Sequence, residues 1–344
     1  MALKTPYRFA VVLFGEDGAT IGTAPAERDW EPAHEWTRFR FQRKGLLGLD
    51  GAGAEAALIP LWEPSLGEPY CRGYRIKINA HEGRVVESDF PAAHFRDIAA
   101  AAASRFVQRK ALREGELYSY VIVAYPAPDE AQEIGGLSVT EASPTVPARE
   151  HSLHSYLEHA TPNGSVNADE MPVFVSRQVL DEVSERTHAE QGTETGGILI
   201  GMLWRDKDVD EIFAEVTAQI PAEHTVGSNI KLTFTAETWA AADAALRLRG
   251  KGEVYLGYWH SHPVREWCKS RSCTLEAQKS CRMAKDFFSA EDEGVLRAAF
   301  PRAYSLAIVA NDTAFTDLTF SMFGNNEGIT QPRGFHVLEE THGA

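Results

Sequence analysis

The stretch Val254–Pro263, VYLGYWHSHP, decides how the second half of this chain is read. Five of its first six residues are apolar or aromatic, as a buried strand requires, and the pattern then gives way to His260, Ser261, His262 and Pro263. Strand side chains alternate, so the two histidines leave the strand end on one side with their Cα atoms about 6 to 7 Å apart. That separation suits two ring nitrogens converging on one metal. Pro263 lacks a donor and stops the strand, placing both imidazoles where the sheet meets solvent and a pocket can form.

A catalytic zinc takes three protein ligands and keeps a position for water. Downstream, FFSAEDEGVLRAAF presents Ser289 and then a helix-compatible run with Asp292 near its start, and Asp292 is the third expected ligand. Upstream, TETGGILIGML presents Glu194 just before another apolar strand, and a carboxylate beside an activated water is a suitable general base. Ser261 lies between the ligands and points oppositely, a place for bracing a neighbouring loop. No nucleophile elbow suggests a serine hydrolase.

Glu194 with GGILIG after it, then His260, Ser261, His262 and Pro263, then Ser289 and Asp292, resembles the JAMM (MPN-plus, JAB1/Mov34) zinc isopeptidase family over roughly residues 171 to 340. The resemblance implies that His260, His262 and Asp292 hold one catalytic Zn2+, that Glu194 polarises the water, and that Ser289 stabilises the oxyanion. It further implies cleavage of an isopeptide or peptide bond at the C-terminus of a ubiquitin or ubiquitin-like protein. Bacterial relatives accompany E1-like and E2-like enzymes, some in antiphage defence. A catalytically inactive protein-binding scaffold of the same fold and a small-peptide metallohydrolase are the alternatives. The family usually places its serine seven residues after the proline, whereas twenty-five separate Pro263 from Ser289 here. The insertion, residues 264–287, carries Cys268, Cys273 and Cys281 at C-x4-C-x7-C spacing. These three are candidate ligands of a second, structural zinc, with Cys71, His154 or Glu266 as a fourth, against a helical flap with reduced thiols or a disulfide.

Length and composition set the frame. A chain of 344 residues with 44% apolar content supplies more than one core. Its 49 acidic and 34 basic residues give a formal charge of -15, which argues against nucleic acid as a partner. The opening MALKTPYRFAVVLFGEDGA is too short for a membrane span and lacks a cleavage region, so a cytoplasmic protein without a membrane partner is expected. Four cysteines, three of them clustered, fit reduced thiols or metal ligands.

The expected architecture is α/β. A C-terminal JAMM/MPN-like mixed sheet with flanking helices, residues 171–344, follows a smaller α+β domain at 1–125 and a Pro-rich linker at 126–170. In the first domain, residues 7–14, 74–78 and 117–125 read as strands, EWTRFRFQR at 35–43 as an edge or half-buried strand, and 91–112 as a helix capped by Ser88 or Asp89. His81, His94 and Cys71 read as structural, and this domain as a docking or substrate-selection module. The linker histidines His151, His154 and His159 read as solvated. In the second domain, a helix from Ser176 to about His188, strands over GILIGML, EIFAEVTAQI and IKLTFT, and a helix over Glu237–Leu248 precede the His-Ser-His strand. Three further strands follow the Asp292 helix.

Overall fold

A computed structural model describes residues 3–50, 55–80, 83–127, 145–190, 192–222, 234–281, 283, 287–313 and 318–339. The chain divides into two compact units, Met1–Gln42 with Leu46–Thr145, and Arg43–Gly45 with Val146–Ala344. Both are α/β. Among the described residues, no helix is long and apolar enough to cross a membrane.

The first unit contains strands β1 (Leu3–Lys4), β2 (Tyr7–Gly15) and β3 (Thr20–Pro25), helix α1 (Glu31–Arg43), strands β4 (Glu55–Trp62), β5 (Tyr70–Asn79) and β6 (Val85–Pro91), helix α2 (Arg96–Gln108) and strand β7 (Tyr118–Pro126). Its sheet runs β1-β4-β5-β7-β2-β3, with β6 paired to β5. Inward residues such as Val11, Leu13, Ile76 and Ile78 alternate along the strands and form the core with Tyr74, Phe90 and Phe95.

Residues 35–43 form most of α1 and not an edge strand. The alternation of aromatic and charged residues suggested period two because charged side chains were expected to face water. Glu35, Arg38 and Gln42 are instead buried and bonded to one another at helical spacing, Arg38 donating to both Glu35 and Gln42, while the Thr37 hydroxyl donates to the Ala33 carbonyl. Residues 91–95 correct a second expectation. Ser88 and Asp89 belong to β6, whose Asp89 pairs with Arg75, and a short 3-10 turn, Ala92–Phe95, leads into α2 without a side-chain cap.

The second unit begins inside the segment read as linker. Strand β8 (Ala148–Glu150), helix α3 (Leu153–Leu157) and strand β9 (Ala160–Asn163) are followed by β10 (Val173–Ser176), α4 (Arg177–Ala189), β11 (Gly196–Asp206), β12 (Glu211–Pro221) and α5 (Ala236–Arg249). Then come β13 (Val254–His262), α6 (Val264–Ser270), α7 (Leu275–Lys279), α8 (Ala290–Ala299) and strands β14 (Leu306–Asn311), β15 (Thr319–Asn326), β16 (Ile329–Arg333) and β17 (Phe335–Leu338). The strands at 148–150 and 160–163 are too short to show a readable period. Side chains hold α3 to the sheet: the Leu153 amide donates to Asp206, and the Tyr156 hydroxyl and Trp204 indole both donate to Glu215. Most of the strand expected over IKLTFT falls outside the described residues.

The sheet order is β16-β15-β14-β13-β11-β12-β10-β17-β9, with β8 on β11. The histidine strand β13 is therefore central, antiparallel to β11 and parallel to β14. Its register on β11 shifts at Gly257, where Leu256 becomes the extra residue of a bulge. Gly257 has φ +149°, and a Cβ there would lie 1.7 Å from the Leu306 carbonyl oxygen, a backbone atom that cannot step aside. Ile198, Ile200, Tyr258, Leu296, Phe300 and Ala307 pack α8 and the sheet together behind the strand end.

The bulge sets which residues of β13 face α8, so Gly257→Ala should be severe. A destabilisation of roughly 2–4 kcal/mol is expected, combining strained backbone with a clash against a neighbouring strand. Chemical denaturation of the purified variant measures it, and a loss under about 0.5 kcal/mol, the range of ordinary surface changes, would refute the bulge's role.

Candidate metal centre

β13 and β11 run side by side so that His260 pairs with Gly196 and Trp259 with Gly197. This brings the residues before β11 to the mouth of the histidine strand. Ser261 locks the approach: the Thr195 amide donates to Ser261 Oγ at 3.0 Å, and the Ser261 amide donates to the Thr195 carbonyl at 2.8 Å. Glu194 is thus fixed by its neighbour in sequence.

The third element arrives from the far side of the insertion. Ser289 is the N-cap of α8 and Asp292 is its third helical residue, and the two form a capping box. Ser289 Oγ accepts from the Asp292 amide at 3.1 Å, and Asp292 Oδ2 accepts from the Ser289 amide at 2.8 Å. The other oxygen, Oδ1, lies 3.6 Å from His260 Nε2. Tyr258 ties the helix to the strand, its hydroxyl donating to the Asp292 carbonyl at 2.9 Å.

His260 Nε2 and His262 Nε2 are 3.0 Å apart, and one ligand atom from each of His260, His262 and Asp292 lies within 4.8 Å of the others. Both imidazoles are 2% exposed, so they sit inside the strand end and not at the water interface that the sequence suggested. Aromatic rings enclose them: Tyr258 stacks on His260 at 5.6 Å between centroids, while Trp267 and Phe287 lie 5.3 and 5.8 Å from His262.

Burial pushes both histidines below their ordinary value. His262 falls to about 3, burial being the largest cause and neighbouring His260 the next. His260 is lowered by burial against a smaller opposing pull from Asp292. Neutral imidazoles are the form that binds metal. Asn311, opposite His262 across the β13–β14 pair, donates its amide to Ser321 at 3.3 Å, and its side chain gives the His262 ring a small upward pull against burial. The Asn311 carbonyl oxygen and the Nδ1 atoms of both histidines are buried without a hydrogen-bond partner among the described residues. The two Nε2 atoms are the ring nitrogens that face each other in the cluster. Two imidazole nitrogens and a carboxylate oxygen are a donor set that fits zinc.

Glu194 completes the cleft. Its carboxyl is pushed up to about 7, first by burial and then by the negative charges of Asp292 and Glu291. With His262, Ser289 and Asp292 it lines a cavity of about 870 Å³, whose other walls include Trp267, Arg271, Met283 and Phe287. The sequence had marked neither these aromatic walls nor Asn311. An Asn ending an apolar strand gives no signal of its own, because its role comes from register with His262.

The remaining candidates separate. Cys268 is buried, and Cys273 and Cys281 lie half-buried beside it, all three as free thiols. The other proposed fourth ligands have partners elsewhere: His154 faces Glu158 at 3.2 Å, Glu266 faces Lys269 at 3.4 Å, and the Cys71 thiol meets the Pro69 carbonyl. His151 packs on Tyr156 and Trp204, and His159 meets the Ser155 carbonyl. His94 contacts the Tyr74 hydroxyl inside the first unit.

Residues 176–267 match the family model for prokaryotic homologs of the JAB domain. The matched span contains Glu194, His260 and His262 and ends before Ser289 and Asp292. The solution structure of protein DSY2949 from Desulfitobacterium hafniense is similar at 19% identity, covering 49% of this chain and 95% of that one, with a TM-score of 0.33. No curated protein matches the sequence.

Glu194 has a signature in the metal-free protein. A carboxyl whose folded pKa lies above its unfolded value costs nothing below the unfolded value, near 4.5. The penalty grows as pH rises toward 7 and is constant above it. Gln mimics the protonated form. Metal-free Glu194→Gln should therefore match the wild type near pH 4 and exceed it by roughly 1–2 kcal/mol at pH 8, after discounting for solvent reaching the cleft. Denaturation at both pH values checks this, and equal stabilities at pH 8 would show that Glu194 is not desolvated.

Proposed function

We propose that this chain, whose C-terminal unit carries a JAB/MPN-family domain, is a zinc-dependent hydrolase. The bond cut is an isopeptide or peptide bond at the C-terminus of a ubiquitin or ubiquitin-like protein, in deconjugation or precursor processing. The observation that carries the reading is the placement of Glu194, with its carboxyl near 7, in the same cavity as His262, Ser289 and Asp292.

Zinc held by His260, His262 and Asp292 would supply Lewis acidity toward a carbonyl and make water a better nucleophile. Glu194 takes the proton of the attacking water and passes it to the departing amine. A carboxyl whose pKa lies near neutrality exchanges protons readily in both directions. Ser289 Oγ is occupied as an acceptor by the Asp292 amide, which leaves its hydroxyl hydrogen to be donated to the developing oxyanion. Ser261 stays out of the chemistry and holds Thr195 beside Glu194.

In this reading the partners are a ubiquitin-like protein and its conjugates, built by E1-like and E2-like enzymes in a bacterial conjugation or antiphage system. The N-terminal unit docks or selects the partner. A non-catalytic scaffold of the same fold would need neither convergent imidazoles nor a raised Glu194 carboxyl.

The full-length chain is assayed on a ubiquitin-like fusion and on an isopeptide-linked conjugate. Glu194→Gln should retain zinc and lose about 10²–10⁴ in rate, the usual contribution of a positioned acid–base group. His262→Ala should lose about one zinc equivalent. Wild-type turnover by Glu194→Gln would overturn the mechanism, and unchanged metal content in His262→Ala would remove His262 as a ligand.

A further inference from the structure

The insertion carries three of the four cysteines of the chain, and the fold gathers them. Cys268 lies near the end of α6, where the chain reverses through Ser272 at φ 51° and returns the Cys273 amide to the Cys268 carbonyl at 2.9 Å. After α7, the Cys281 amide donates to the Gln278 carbonyl at 3.1 Å, and the Gln278 side chain donates to the Cys273 carbonyl at 3.0 Å. The thiols of Cys273 and Cys281 both come within hydrogen-bonding reach of the Cys268 thiol.

Arg265 and Trp267 hold the start of this segment, but beyond Cys268 little else explains its order. Only Val264 and Cys268 are buried in α6 and nothing is buried in α7, whose five residues are far too few to persist on backbone bonds alone. Thiols are weak hydrogen-bond donors and acceptors, so gathering three adds little as neutral groups. The same arrangement is well matched to a soft cation.

We propose that Cys268, Cys273 and Cys281 bind a second metal ion, zinc being the best match, in a structural site that holds the insertion as one wall of the cleft. Cys268 is the hub. Binding draws the half-exposed Cys273 and Cys281 together around it. Each thiol gives its proton to solvent and binds as a thiolate, and solvent takes the fourth position. Burial and the neighbouring thiols hold the Cys268 thiol up at about 11, a state that a divalent cation reverses. The site lies on the helix whose Trp267 faces His262 and whose end carries Ser270 and Arg271 into the cavity wall. Its effect on substrate selection rests on the hydrolase reading, whereas its existence does not.

The test uses the full-length chain under reducing conditions, loaded with cobalt(II) and, separately, with zinc. The catalytic donors are nitrogen and oxygen only, so a thiolate-to-cobalt charge-transfer band in the near ultraviolet reports the cysteine site alone. The wild type should show the band and hold about two zinc equivalents. Cys273→Ser and Cys281→Ser, both at half-exposed positions that spare the buried hub, should each weaken or abolish the band and lose about one equivalent. His262→Ala should keep the band and lose the other equivalent. A wild-type cobalt protein without the band overturns the proposal and needs no variant to do so. So do unchanged zinc content in both serine variants, or thiol titration that finds a disulfide after metal loading. Retention of all zinc by His262→Ala with the band intact would count against the catalytic centre and leave the cysteine site standing.

Discussion

The two oxygens of the Asp292 carboxylate do different work, and the site depends on that division. Oδ2 accepts the Ser289 amide and closes the capping box of α8, while Oδ1 faces His260 Nε2. Forming the first turn of α8 and presenting a carboxylate oxygen to the imidazole pair are therefore one folding event. Leu296 and Phe300 anchor the same helix in the core behind the strand, and the Tyr258 hydroxyl fixes its entry. Mispacking of α8 would move the carboxylate directly, because nothing flexible intervenes. A capping residue also loses little freedom on binding metal, since its rotamer is already set by the helix terminus.

Desolvation acts with opposite sign on the two kinds of group in this cleft, and both results favour one chemistry. It lowers the imidazoles, keeping them neutral with lone pairs available, and it raises Glu194 toward the pH at which a proton can be taken and returned. Two neutral imidazole nitrogens 3.0 Å apart repel unless a proton or a cation lies between them.

The sequence spoke most clearly where residue type and local period agree. His260, His262, Glu194 and the Ser289–Asp292 pair are each reactive residues at the end of an apolar run, and the structure brings them to one cleft. Legibility failed in α1, where buried Glu35 and Arg38 satisfy each other, so that polarity ceased to mark the solvent side. It failed again for the strands at 148–150 and 160–163, which are too short to show a period and are held by pairing with distant strands. Asn311 and Trp267 were invisible for a related reason: their roles exist only through register and packing against His262.

The long insertion explains why spacing from the proline is a poor guide to the serine and aspartate while their own separation is a good one. Each end of the insertion is anchored independently. At the first, Arg265 donates to Asp312 at 3.1 Å and to the Thr313 carbonyl at 2.8 Å; at the second stands the capping box. Between fixed ends, lengthening a loop from seven to twenty-five residues costs only about 1 kcal/mol in closure entropy. The added chain returns apolar contact by placing Trp267 and Phe287 beside His262. Separation within the box has no such freedom, because a cap and its third helical residue are three apart by helix geometry. The pair is therefore recognised by its own S-x-x-D spacing at the start of an amphipathic helix, whatever length of chain precedes it.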